Sequence, residues 1–217
     1  NTGVWKPKTA PSVTYGNNGY FLKFDNSGNM GLDSSGNSNN FTTIGTIIQN
    51  KDTPSNVYCT LNSLDKNDVV VLANGNTTSH SSNNGTWSAA NRTTLGIASG
   101  KFYWEMKITG SGTANGLFFG VCADTVRLIT NQGIQDDSTE KAKGVLVFCD
   151  DGQYQLDTNS RASMTSAPAF NDILGCAVDR DNNTVKFYKN GSQVGSIDIS
   201  SSPLATCSHI MPLMINF

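Results

Sequence analysis

The residues best suited to nucleophilic or acid–base chemistry in this sequence are its two histidines, His80 and His209. A nucleophilic triad needs a Ser or Cys beside a His base that a carboxylate orients. His80 lies in the most polar stretch of the chain, and His209 directly precedes the last apolar run. Neither histidine adjoins a nucleophile-elbow pattern, so the sequence predicts no catalytic residue of this kind.

Adjacent carboxylates occur at Asp136-Asp137 and Asp150-Asp151. A glycosidase needs two carboxylates that face each other, whereas neighbours on a strand point to opposite faces. Both pairs are therefore interpreted as turns. The run at 179–183 begins like a calcium loop but lacks the Gly at its sixth position and the distal Glu. It is interpreted as a hairpin turn, and we expect neither a metal nor a cofactor.

The five cysteines lie far apart in apolar or strand-like surroundings: Cys59, Cys122, Cys149, Cys176 and Cys207. They form no Cys-x-x-Cys pair and have no neighbouring His, so they do not indicate a zinc site. We expect buried free thiols, with a disulfide framework as the alternative. Free thiols favour assembly in a reducing cytoplasm.

Composition excludes two classes of partner. The net charge is −2 and the fifteen basic residues are scattered, whereas a nucleic-acid surface needs clustered Lys and Arg. No run approaches the roughly 18 apolar residues of a membrane span, so we expect no membrane insertion. Charged residues make up 15% of the chain and Asn, Ser, Thr and Gly are abundant, which favours turns between many short strands.

Short alternating or apolar runs separated by turn clusters predict an all-β fold of two packed antiparallel sheets. In the run at 102–108, the even-numbered side chains should face the core and the odd-numbered ones the other side. The predicted strands lie at 20–24, 69–72, 102–108, 117–121, 145–148, 173–178, 184–188 and 194–197. The stretch 73–94 is predicted to be loop, and Trp104 to be core.

Five motifs in order over residues 100–217 resemble the SPRY family. They are Gly-Lys-Phe-Tyr-Trp-Glu at 100–105, Phe-Phe-Gly-Val at 118–121, the Asp-Ile-Leu-Gly strand at 172–179, the Phe-Tyr-Lys-Asn-Gly hairpin at 184–191, and the closing Pro212 with Asn216-Phe217. The resemblance implies a two-sheet antiparallel β-sandwich of the concanavalin-like jelly-roll type. It also implies a non-catalytic binding module. The charged stretch at 122–144 departs from the family, so only the fold is transferred and not a ligand.

The first hundred residues resemble the lead-in of phage and environmental-virus structural proteins, at 4–8, 19–24 and 31–37. This resemblance implies a virion surface protein that is assembled in the host cytoplasm. We expect one sandwich domain over 1–217, with lead-in strands at 1–60, a core at 69–217, and a longer fibre chain around it. A trimer is expected by analogy with fibres.

Three loops are the candidates for ligand contact: 73–94 with Trp87, 123–143 with Arg127, and 151–170 with Tyr154 and Arg161. An exposed aromatic ring beside Asn and Asp can stack on a sugar while the polar groups bond its hydroxyls. The alternatives are that Trp87 covers a strand edge and that the two arginines and Tyr154 are ordinary surface residues.

Three functions remain open from the sequence. The first is a phage tail fibre or capsid appendage that binds a host surface protein or glycan. The second is a capsid-decoration or fibre-shaft domain that contacts only other virion proteins. The third is a glycan depolymerase, which would need two convergent carboxylates in a groove.

Overall fold

A computed structural model describes residues 12–45, 47, 49, 58–82, 89–110, 116–128, 138–141, 143–157 and 160–216. The chain divides into two compact units, residues 1–59 and residues 60–217. The predicted organisation, a lead-in at 1–60 before a core at 69–217, stays a prediction.

The larger unit is built almost entirely from strands. In chain order they are β1 (Leu61–Lys66), β2 (Val70–Ala73), β3 (Thr78–Ser81), β4 (Ala89–Thr93), β5 (Lys101–Lys107), β6 (Phe118–Ala123), β7 (Gly144–Phe148), β8 (Gln153–Leu156), β9 (Ala162–Ser163), β10 (Ile173–Asp179), β11 (Thr184–Lys189), β12 (Ser192–Asp198) and β13 (Ile210–Asn216). A short helix, α1 (Ser138–Lys141), and a 3-10 turn at Pro203–Ala205 complete the elements. Among the described residues, no helix has the length and apolarity to cross a membrane.

The strands form two main antiparallel sheets and one hairpin. The seven-stranded sheet has the order β1-β4-β13-β6-β7-β8-β9, and the four-stranded sheet has the order β12-β11-β10-β5. The strands β2 and β3 pair with each other. The β10–β11 turn contains Asn183 and the β11–β12 turn contains Asn190, both with the positive φ that tight hairpins require. Both turns were predicted at these positions.

Three aromatic rings join the two sheets. Phe119 on β6 lies 4.2 Å from the Trp104 ring on β5 and 6.2 Å from the Phe187 ring on β11, measured between centroids. Phe119 belongs to the seven-stranded sheet and the other two rings to the four-stranded sheet. The predicted all-β sandwich is therefore confirmed. Met106 and Ile108 are buried, and Trp104 packs against the core but is only partly buried. Phe102 pairs with the buried Val178 on the same face but is itself exposed, so the predicted alternation is confirmed while the burial of Phe102 is not.

The prediction that residues 73–94 form a loop was wrong for two segments of it. They contain β3 and β4, and β4 is buried at all five positions. The sequence of β4 is polar, and for this reason a loop was predicted. A polar strand can be buried here because its charged residue, Arg92, is neutralised inside the sheet. Arg92 pairs with both carboxylate oxygens of Asp65 at 2.7 and 2.9 Å and also donates to the Asp124 carbonyl.

In the smaller unit, the predicted strand at 20–24 is wrong, since only an isolated bridge joins Leu22 to Asp33. Side chains bind the backbone there in place of a strand ladder. The Asp33 carboxylate accepts hydrogen bonds from the backbone N–H groups of Phe21, Ser35 and Asn39 and from the Ser35 hydroxyl. Burial opposes ionisation of Asp33, but these four donors outweigh it and lower its pKa to about 2.

Cys122, Cys149 and Cys176 are buried free thiols, as predicted, whereas Cys59 is exposed and Cys207 is partly exposed. Burial raises the pKa of the Cys122 and Cys149 thiols to about 12, and it also raises the pKa of Cys176. These three cysteines therefore remain protonated at neutral pH and pack as small apolar side chains.

Replacing Phe119 by Ala should destabilise the larger unit by about 3–5 kcal/mol, because the substitution removes a fully buried ring from between the sheets. Leu64→Ala is the matched control, since the Leu64 side chain is 95% exposed and surface truncations change stability by about 0.5 kcal/mol or less. Urea unfolding followed by tryptophan fluorescence measures both. Equal losses of stability in the two variants would contradict this packing.

Asp33→Asn should expose the backbone amides of Phe21, Ser35 and Asn39 to solvent exchange at neutral pH. Because the pKa of Asp33 is lowered in the folded chain, its contribution to stability is present above about pH 4 and is lost as the pH falls toward 2. Amide hydrogen exchange, corrected for the intrinsic rate at each pH, measures the protection of these three amides. The difference between the wild type and Asp33→Asn should shrink over this interval, and a constant difference would refute the assignment.

Candidate binding site

The outer face of the four-stranded sheet carries small residues on β10 and large residues on the two neighbouring strands. In β10, Gly175 pairs with Tyr188 of β11, and Ala177 pairs with Tyr103 of β5 and with Lys186 of β11. Side chains that are directly opposite on one face of a sheet lie about 5 Å apart. Gly175 and Ala177 of β10 therefore form the floor of a groove, and the larger side chains of β5 and β11 form its walls.

Tyr103 and Tyr188 close one end of this floor. Their ring centroids are 5.7 Å apart and the rings are nearly perpendicular at 84°. A Cβ atom at position 175 would collide with the hydroxyl and ring of Tyr103. Glycine at this position therefore allows the Tyr103 ring to lie across β10 and reach the edge of Tyr188.

The result is a shallow depression of about 370 Å³. We call it the tyrosine groove, and the side chains that define it are Tyr103, Ala177, Asp179, Thr184, Lys186 and Tyr188. The Tyr103 side chain is about half exposed, at 52%. An aromatic surface of this kind, with charged groups at its rim, is typical of sites that bind another molecule.

The carboxylates at the two ends of the groove are already engaged. Asp179 pairs with Lys101 at 3.1 Å and accepts hydrogen bonds from the backbone and side chain of Asn182. The Asn182 side chain, together with Lys101, lowers the pKa of Asp179 to about 2. At the other end, the Tyr103 hydroxyl donates to Glu105 at 2.7 Å. Partial burial, with this hydrogen bond and the Glu105 charge, raises the pKa of Tyr103 to about 12.

Lys186 differs from the other charged groups of the groove. Among the residues that the structure describes, no hydrogen bond or ion pair involves its ammonium group. Lys186 therefore brings one unpaired ammonium group to the groove, beside the two tyrosine rings.

The predicted ligand residues do not gather at one place. Trp87 lies outside the described residues. Arg127 is exposed, and its backbone N–H donates to the buried carboxylate of Glu140 at 2.7 Å, which also pairs with Lys143 at 3.3 Å. This pairing fixes the described part of the insertion between β6 and β7. The side chain of Arg127 points to no described partner, and its role in binding stays a prediction.

Tyr154 and Arg161 lie near each other along the paired strands β8 and β9, since Tyr154 pairs with Ala162. Tyr154 is partly buried and packs against the core. The guanidinium of Arg161 lies 3.5 Å from the centroid of the Phe148 ring and pairs with Asp151 at 3.5 Å. These contacts give both residues a structural role, and ligand binding by either one stays a prediction.

The sequence prediction missed the tyrosine groove as a site. The alternation in β5 had correctly placed Tyr103 and Glu105 on the face away from the core. What was missed is that Gly175 and Ala177 occupy the same face of the next strand. The sequence did contain a signal for the groove. It consists of two small residues at alternate positions, with tyrosines in the neighbouring motifs.

The structure also tests the chemistry that the sequence excluded. In the described part of the chain, no three His, Cys, Asp or Glu side chains are grouped to hold a metal ion. Asp150 and Asp151 lie in the β7–β8 turn, as predicted, where Asp151 accepts a hydrogen bond from the backbone N–H of Gln153. The other pair, Asp136-Asp137, lies outside the described residues.

Comparison with known proteins points to one family. Residues 101–201 match the family model of the SPRY domain, and this range contains every residue that defines the tyrosine groove. No curated protein matches the sequence of the chain.

Solved structures share the fold at low sequence identity. The SPRY domain of human HERC1 is 15% identical, with a TM-score of 0.52 over 72% of this chain and 89% of that one. Another human SPRY domain is 19% identical, with a TM-score of 0.53 over 69% of this chain and 91% of that one. Stonustoxin is 18% identical, with a TM-score of 0.54 over 72% of this chain, but the match spans only 25% of the stonustoxin chain.

Proposed function

Because the chain carries a SPRY domain over residues 101–201, we propose that it is a non-enzymatic binding module that holds a partner protein in the tyrosine groove. SPRY domains are protein-interaction modules and are in general non-catalytic. The two-sheet sandwich supplies a rigid support, and binding specificity then depends on the side chains that the sheet presents.

The observation that carries this proposal is the unequal covering of the central strands of the two sheets. Every position of β6 and β7, in the seven-stranded sheet, is buried. In the four-stranded sheet, Tyr103 is left half exposed beside a floor of Gly175 and Ala177. Tyrosine is enriched among the residues that contribute most to protein interfaces, because its ring offers a large contact area with few rotatable bonds.

The narrower proposal concerns the setting of this module. The resemblance of residues 4–8, 19–24 and 31–37 to the lead-in of viral structural proteins supports display on a virion surface, as a tail fibre or capsid appendage that binds a host receptor. Other virion proteins and further copies of the chain are the additional partners in this proposal. A decoration or shaft domain that contacts only virion proteins is the alternative.

The four loop residues from the sequence enter the proposal as secondary contacts. Of these residues, Arg127, Tyr154 and Arg161 lie outside the four-stranded sheet, and Trp87 lies outside the described residues. A host-surface glycan or protein that covers the groove and a loop at once would contact residues of both. The glycan-depolymerase alternative is favoured by no observation on the described residues.

Selection from a library of displayed 12-residue peptides against the immobilised full chain tests the binding module. Peptides that bind the wild type should lose at least about tenfold in affinity for the Tyr103→Ala, Tyr188→Ala double variant, because the two rings form the walls of the groove. Leu64→Ala, at an exposed position of the seven-stranded sheet, is the control and should bind as the wild type does. Failure to select any peptide, or equal binding by the double variant, would contradict the proposal.

Antibody labelling of particles purified from the organism that encodes the chain tests the setting. An antibody raised against the purified chain should decorate the outside of intact virions in negative-stain electron microscopy. Pre-incubation of the antibody with excess purified chain is the control and should abolish the labelling. Detection of the chain only in the particle-free fraction of the lysate would overturn the virion proposal and leave the binding module standing.

A further inference from the structure

We propose that the tyrosine groove binds an extended acidic segment of the partner protein, in which an Asp or Glu lies two positions from a large apolar residue. This inference rests on the proposed function and names the chemistry of the partner at the same site. Three features of the groove lead to it: its free cation, its paired rings and the distance between them.

The positive charge of Lys186 favours an anionic group beside it. Lys101 is neutralised by Asp179 at 3.1 Å. Glu105 keeps its negative charge while it accepts the Tyr103 hydrogen bond, but it lies on β5 opposite Gly175, across β10 from the strand that carries Lys186. Within the described residues, Lys186 is left as the groove cation without an ion pair or hydrogen bond. An Asp or Glu carboxylate placed on Lys186 would form a charge-assisted hydrogen bond, which is stronger than a neutral one.

The rings of Tyr103 and Tyr188 favour an apolar side chain next to the carboxylate. Their perpendicular contact at 5.7 Å leaves ring surface open beside the methyl group of Ala177. A Leu, Ile, Phe or Trp side chain placed there would lose its water contacts against these rings.

The spacing of the two features favours an extended peptide. Lys186 and Tyr188 are two residues apart on β11 and face the same side of the sheet. Residues i and i+2 of a strand are separated by about 6.5–7 Å, and the same holds in any extended peptide. A peptide that runs along β11 would therefore place an acidic side chain on Lys186 and a large apolar side chain on Tyr188.

A peptide fits the groove better than a sugar does. A sugar ring presents many hydroxyl groups, and its binding site needs several polar side chains that are free to bond them. Here Asp179 and Glu105 are already engaged. In the described part of the groove, the polar groups that make no hydrogen bond to the chain are the Lys186 ammonium and the hydroxyls of Thr184 and Tyr188.

Binding of synthetic 12-residue peptides to the full chain, followed by fluorescence anisotropy, tests the inference. The parent peptides carry one Glu two positions before or after one Leu in a Gly-Ser background. Matched peptides carry Gln in place of Glu, Lys in place of Glu, or a spacing of one or three residues. The protein variants are Lys186→Glu and, as control, Lys107→Glu, since Lys107 is an exposed lysine on β5 of the same sheet that does not line the groove.

We expect a parent peptide to bind the wild type and Lys107→Glu equally. It should lose at least about tenfold in affinity when Glu becomes Gln or when Lys186 becomes Glu, which corresponds to one charge-assisted hydrogen bond. The peptide with Lys in place of Glu should bind Lys186→Glu better than it binds the wild type. This exchange of charges keeps the test valid even if Lys186→Glu lowers stability.

Four results would overturn the inference. They are equal binding of the Glu and Gln peptides, equal binding at all spacings, equal loss of binding in Lys107→Glu, and binding of acidic oligosaccharides through Lys186 without binding of any peptide. If displayed peptides that lack acidic residues are selected and still need the two tyrosines, the inference fails while the proposed function stands. If no displayed peptide binds the wild type, both fail.

Discussion

The contact of Phe119 with Trp104 and Phe187 is the interaction on which the rest of the larger unit depends. It buries one aromatic ring of the seven-stranded sheet against two rings of the four-stranded sheet. Trp104 and Phe187 both pair with Cys176 of β10 on the inner face. Since side chains alternate along a strand, this inner row fixes which residues of β5, β10 and β11 face outward. The tyrosine groove therefore lies on the face of the four-stranded sheet opposite to the core contact.

The polar interactions sort into two groups with different consequences. Inside the seven-stranded sheet, Arg92 and Asp65 neutralise each other, and removal of Asp65 would leave the largely buried Arg92 guanidinium without its counter-charge. At the rim of the groove, Lys101 and Asp179 pair near solvent, where an ion pair contributes little to stability. Because Asp179 is engaged by Lys101, Lys186 stays without an ion pair among the described residues. Polar residues in this chain therefore stabilise the fold in one sheet and define a surface in the other.

The sequence was sufficient to predict the all-β sandwich, because Tyr103 to Glu105, the hairpin at Asn190-Gly191 and the other strands carry strong local signals. It failed at β4, whose charged residue Arg92 is compensated by Asp65, a partner 27 positions away. It failed again at 20–24, where the Asp33 carboxylate holds the backbone in place of a strand partner. The groove was missed for a related reason, since it depends on register between β5, β10 and β11. A local sequence pattern does not indicate which distant segments pair or in what register.

Mapping of a bound peptide by NMR tests the central claim that the outer face of the four-stranded sheet is the binding surface. Backbone amide shifts of the full chain are measured with and without a peptide selected by display. The account predicts that the largest changes lie in β10 and β11 between Gly175 and Tyr188, with smaller changes along β5. Changes concentrated around Arg127 or Arg161, with β10 and β11 unaffected, would contradict it.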